Sequence, residues 1–174
     1  MSSEALAAPQ AVGSDSPLRF LPRAIRVPER PFLAIAVAWL TSFPISIVLA
    51  LLASRLFPDA GHPDFKGGPA LVIFAVVIFS PVVETLIMGS VLLILLRFLP
   101  EWVAIVISAI GWGIAHSMLS PTWGMAVWWP FLILSTLFAA WRKRSLWLAF
   151  ALPICVHALQ NLLPGILVAT GVSI

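Results

Sequence analysis

PVVETLIMG, residues 81–89, decides how this chain is read, because of Glu84. The stretch lies in an apolar run over 69–99 whose other ionisable residue is Arg97. An ionisable side chain at the centre of a membrane span costs about 2.5–3.5 kcal/mol on insertion scales. A chain that keeps one there must surround it with polar partners or water. Ser80 stands one turn earlier on the same helix face. Further along come His116 in WGIAH, then His157 and Asn161 in HALQN. Ionisable groups inside membrane spans mark functional sites by default, and this chain has three.

Composition supports the membrane setting. Hydrophobic residues make up 61% of the 174, charged residues 10%, and the mean hydropathy is +1.06. Soluble domains have about 45–50% apolar and about 25% charged residues. The sequence predicts an all-α polytopic transmembrane bundle of about five spans. One membrane domain over 31–174 follows a basic, partly disordered cytoplasmic tail over 1–30. The net charge of +3 then reports lipid contact and topology, not nucleic acid. Cys155 is the sole cysteine, so no disulfide framework exists.

Outward from Glu84, the apolar stretches run over about 32–53, 70–98, 102–119, 125–141 and 146–163. Pro44 is expected to kink the first. The second is too long to span untilted, and tilts or breaks near Pro81. Pro164 and Gly165 are expected to interrupt the fifth. The loop FPDAGHPDFKGG reads as an exposed turn, and its His62 carries no chemistry. Arg19, Arg23, Arg26 and Arg30 form a juxtamembrane segment suited to anionic lipid. They share one side with Arg97 and Arg142-Lys143-Arg144 if the spans alternate. The other side has Arg55 and Lys66, offset by Asp59 and Asp64. Positive-inside then puts the N-terminus in the cytoplasm and the C-terminus outside. An aromatic belt accounts for most of the eight tryptophans. Ala109, Gly111, Gly113 and Ala115 favour close helix approach and a central place for the third span.

Depth brings the polar residues together. Glu84, His116 and His157 each lie 12–14 residues from the inner end of their span, about 18–21 Å at 1.5 Å per residue. Asn161 is one turn beyond His157 on the same face. A carboxylate and an imidazole on facing helices can share a water and take its proton. A second imidazole and a carboxamide can donate to a developing oxyanion. That set suffices for peptide hydrolysis without a covalent intermediate. Cys155 and His157 are two apart, so they face away from each other, and Cys155 reads as a small buried residue.

PVVETLIMG, WGIAH and HALQN resemble the three motifs of the CAAX-protease and bacteriocin-processing (CPBP) family of intramembrane proteases. That family shows Glu-Glu-x-x-x-Arg, Phe-x-x-x-His and His-x-x-x-Asn or Asp, in this order on separate helices. The resemblance covers about 70–165. It implies that Glu84 is the water-activating base, His116 its partner, and His157 and Asn161 the oxyanion pair, with Trp112 at the Phe position. Thr85 stands where the second glutamate is expected and Gly89 where the arginine is, so the ion-pair support of the first motif is gone.

The resemblance implies an intramembrane endopeptidase in the bacterial cytoplasmic membrane. Its partner would be a membrane-embedded or lipidated peptide substrate. The departures leave open a weakly active or inactive relative acting as a binding or immunity protein. Mid-depth Glu and His also suit a proton-coupled carrier, but no inverted repeat is visible. Glu84, His116 and His157 are also a possible zinc set. The metal-free reading is favoured, because Asn161 rather than a ligand stands four after His157 and no second carboxylate adjoins Glu84.

Overall fold

A computed structural model describes residues 11–60 and 67–171. Five helices carry the fold: α1 Pro31–Leu56, α2 Pro69–Leu95, α3 Glu101–Ser117, α4 Trp123–Trp141 and α5 Leu146–Ala169. Four are long and apolar enough to cross a membrane, and α3 is a shorter apolar helix. There is no strand among the described residues. The chain is an integral membrane protein with a helical bundle. Proline opens α1 and α2 at the first helical position, where its missing N–H costs nothing. Ser145 caps α5 by accepting from the Leu148 amide.

Paired contacts fix the directions. Glu101 meets Arg142 and Lys143, and Ser108 Oγ lies 3.1 Å from Ser135 Oγ, so α3 and α4 form an antiparallel hairpin. At its far end Gly113 and Gly124 touch: a Cβ on Gly124 would fall 2.0 Å from the Gly113 carbonyl oxygen. Thr41 O accepts from Trp129 Nε1 at 3.0 Å and Ser46 Oγ donates to Ala126 O, which sets α1 antiparallel to α4. Ser42 Oγ donates to Gln160 Oε1 at 2.9 Å and joins α1 to α5.

The enclosed helix is α4, whose residues 130–141 are all buried. The small residues of α3 placed that helix at the centre. Only Ala109 and Gly113 face inward, while Gly111 and Ala115 point out, so they serve one contact rather than a central position. Trp141 is likewise completely buried and is no belt residue, whereas Trp147 is exposed as a belt requires. Cys155 is exposed rather than buried: it lies on the face of α5 opposite His157.

Residues 11–27 are packed. Val12, Leu18, Leu21, Ile25 and Val27 are buried, and Phe20 stacks on Trp129. Arg26 turns inward, donating from Nε to Leu21 O and from Nη1 to Val12 O. Arg19, Arg23 and Arg30 remain exposed. The apolar residues between the arginines supply the burial that a purely charged segment would lack. Of the tail over 1–30 expected to be partly disordered, residues 1–10 lie outside the described residues, as do His62, Asp64 and Lys66.

Of the two alternatives for the second helix, a tilt or a break near Pro81, the break is absent, and the fifth helix differs from expectation beside it. α2 continues past Pro81 and widens into a π-helical turn over Phe74–Phe79. α5 runs through Pro164 and Gly165 to Ala169 instead of stopping. Gly165 is what lets the two meet, since a Cβ there would come 2.7 Å from Val77 Cγ2. Residues 172–174 lie outside the described residues.

Candidate active site

The site forms where α2, α3 and α5 converge beside α4. On α2 the inward stripe is Pro81, Thr85, Met88, Gly89 and Leu92. Glu84 sits at the edge of that stripe, half-buried. Its Oε1 accepts a hydrogen bond from Ser80 Oγ, one turn back. Its Oε2 faces two imidazoles, 3.8 Å from His116 Nε2 and 3.7 Å from His157 Nε2. The structure thus brings together the three ionisable residues matched by depth. Both gaps exceed a direct hydrogen bond and suit a bridging water.

The rings are held from behind. His116 Nδ1 lies 2.9 Å from the Trp112 carbonyl oxygen. A carbonyl only accepts, so in the neutral ring Nδ1 carries the proton and Nε2 presents its lone pair to Glu84. Trp112, at the family's Phe position, stacks on Phe131 with centroids 4.5 Å apart. Phe131 meets the His157 ring edge-on, and Trp123 meets His116 the same way. His157 Nδ1 lies 3.4 Å from Thr85 Oγ1.

Two acceptors, Glu84 Oε2 and His116 Nε2, therefore face each other across a gap. One water with a proton directed at each satisfies both. The aromatic walls limit how much more water enters.

Asn161 is one turn from His157, but its Nδ2 donates to the Val76 carbonyl oxygen at 3.0 Å. That carbonyl lies in the π turn. Ser80 N–H bonds five residues back to Ala75 O. The next such donor would be residue 81, a proline without an N–H. Asn161 replaces the bond Pro81 cannot make. The oxyanion role read from the sequence calls on the second N–H of the same nitrogen.

Thr85 and Gly89 were read as lost support. Both are buried. A Cβ on Gly89 would fall 2.3 Å from Phe150 Cε1 and 2.6 Å from Phe138 Cε2, so ring edges fill the arginine's place. The sequence signal for this was the spacing 85, 88, 89, 92, an inward helical stripe.

The match to known proteins runs over the same helices. The family model described as Type II CAAX prenyl endopeptidase Rce1-like matches residues 66–163, more than half of the chain. The chain belongs to this family. No curated protein and no solved structure matches it. The match to this Rce1-like family takes in all three motifs, ends within α5 and leaves out α1. Yet α1 supplies Ser42, which holds Gln160 on the α5 turn that also carries His157.

Proposed function

We propose that this protein is an intramembrane endopeptidase that hydrolyses a peptide bond of a membrane-associated or lipidated substrate. The observation that carries the reading is the free Oε2 of Glu84 facing His116 Nε2 and His157 Nε2 at 3.8 and 3.7 Å. Glu84 takes a proton from the water held between it and His116. The water oxygen adds to the substrate carbonyl carbon, whose oxygen gains the negative charge. His157 and the second N–H of Asn161 donate to that oxygen. The tetrahedral adduct collapses, the C–N bond breaks, and Glu84 returns its proton to the leaving amine. Atoms and charge balance with water as the only co-reactant, and no metal takes part.

The inactive-relative alternative rested on the missing ion pair. Its place holds a hydroxyl contact and two phenyl rings, which supports the active reading.

The test is cleavage of prenylated and membrane-anchored peptides by purified protein in lipid, with and without chelation. Cleavage that survives chelation is the expected result. Stoichiometric zinc by mass spectrometry, with activity lost on chelation and restored by zinc, would make Glu84 a ligand instead.

Orientation follows from the basic loops. A reporter fused after Arg144 is expected to read cytoplasmic and one fused after Ile174 external. The same side for both would mean that α5 does not cross.

A further inference from the structure

The geometry points to Thr85 as a positioning residue that holds His157 with its proton on Nε2, aimed at the reacting oxygen. This rests on the endopeptidase reading above for its catalytic consequence, though not for the tautomer itself.

Within an apolar helix, a threonine hydroxyl ordinarily donates to the carbonyl four residues back. Thr41 does so to Val37 O and Thr136 to Leu132 O, both at 2.7 Å. Thr85, completely buried on α2, turns its hydroxyl across to His157 Nδ1 on α5 instead. At that nitrogen it is the hydrogen-bonding group found among the described residues. Around it the ring is walled by Phe131 and is nearly fully buried.

Nε2 sets which group donates. It faces the Glu84 carboxylate, which only accepts, so a proton on Nε2 is favoured. Nδ1 is then a lone pair, and the Thr85 hydroxyl is the donor that completes it. Which ring nitrogen carries the proton is set by the bond that the other one makes. The two histidines thus have opposite tautomers. His116, held by a carbonyl, presents a lone pair to the site; His157, held by a hydroxyl, presents an N–H. The first suits accepting from water and the second suits donating to an oxyanion. Thr85 fixes the ring from outside, as the carboxylate partners of metal-bound histidines do, but from a neutral hydroxyl that donates. A carboxylate at Nδ1 would accept, and would reverse the preference.

The experiment is long-range proton–nitrogen correlation spectroscopy of histidine-labelled protein in micelles, alongside kinetics. His157 is assigned by the signal lost in His157→Gln. The wild-type spectrum is expected to show His157 with its proton on Nε2 and His116 with its proton on Nδ1. In Thr85→Val, which keeps the shape and removes the hydroxyl, His157 is expected to become a mixture. kcat falls about 10–100-fold, the range for losing an outer partner, with KM unchanged. Thr85→Ser restores both. Thr85→Ala gives the same reading if the valine variant does not fold. A wild-type His157 protonated on Nδ1 overturns the proposal, as does Thr85→Val with an unchanged tautomer or an unchanged kcat. If the wild type cleaves nothing, the endopeptidase reading fails and the spectra alone decide the assignment of Thr85.

Discussion

Glu84→Gln is expected to abolish turnover, a fall of about 10⁴-fold at the upper end for a positioned general base, while the protein stays folded. The amide oxygen of Gln can still accept from Ser80, so the packing of α2 is unchanged. What it cannot do is take a proton from water. His116→Ala is expected to lose about 10²–10⁴-fold, since the water then loses its second acceptor. Both are read as kcat in the peptide assay, with melting temperature in detergent as the control. Full activity in Glu84→Gln would end the mechanism.

Restoring the family's arginine is expected to damage the protein. In Gly89→Arg the Cβ alone collides with the rings of Phe150 and Phe138, which meet edge to face with centroids 5.0 Å apart. Overpacking a tight core costs about 1–3 kcal/mol. A guanidinium buried beside Thr85, with no second glutamate to receive it, adds a desolvation cost. The expected result is a clearly lower melting temperature and poor yield. Thr85→Glu combined with Gly89→Arg is not expected to rescue it, because the rings remain. A variant as stable as wild type would show that the notch opens, and that the glycine is incidental.

That Glu84, His116 and His157 meet is legible in the sequence for a physical reason. An ionisable residue in an apolar helix is conspicuous, and 1.5 Å per residue converts position into depth. Depth alone therefore places Glu84, His116 and His157 together. What each ring nitrogen faces was not legible. That depends on groups of little sequence signal: the Trp112 carbonyl, the Thr85 hydroxyl and the Val76 carbonyl. The helices were found by apolarity, but apolarity cannot rank enclosure. Hence α3 was assigned the centre that α4 occupies. Proline is a weak breaker here: Pro81 and Pro164 both sit inside continuous helices, because the missing bond at Pro81 is replaced by Asn161 and a helix in lipid has no water to turn to. Arg26 read as a charge for lipid, yet it ties together its own segment.

The wide turn over Phe74–Phe79 also has a meaning for comparing sequences. A π turn is in effect one extra residue set into an α-helix, and one residue is about 100° of rotation at 3.6 residues per turn. The part of α2 before it, Pro69–Ile73, and the part after it, from Ser80, are therefore in different phase. Laid without a gap against a relative whose helix is regular throughout, this chain can match one part or the other. If the early valines are aligned, Glu84 is displaced by a position and appears lost. The alignment that keeps the acid is anchored at Ser80, with the additional residue assigned to the stretch whose carbonyl Asn161 holds.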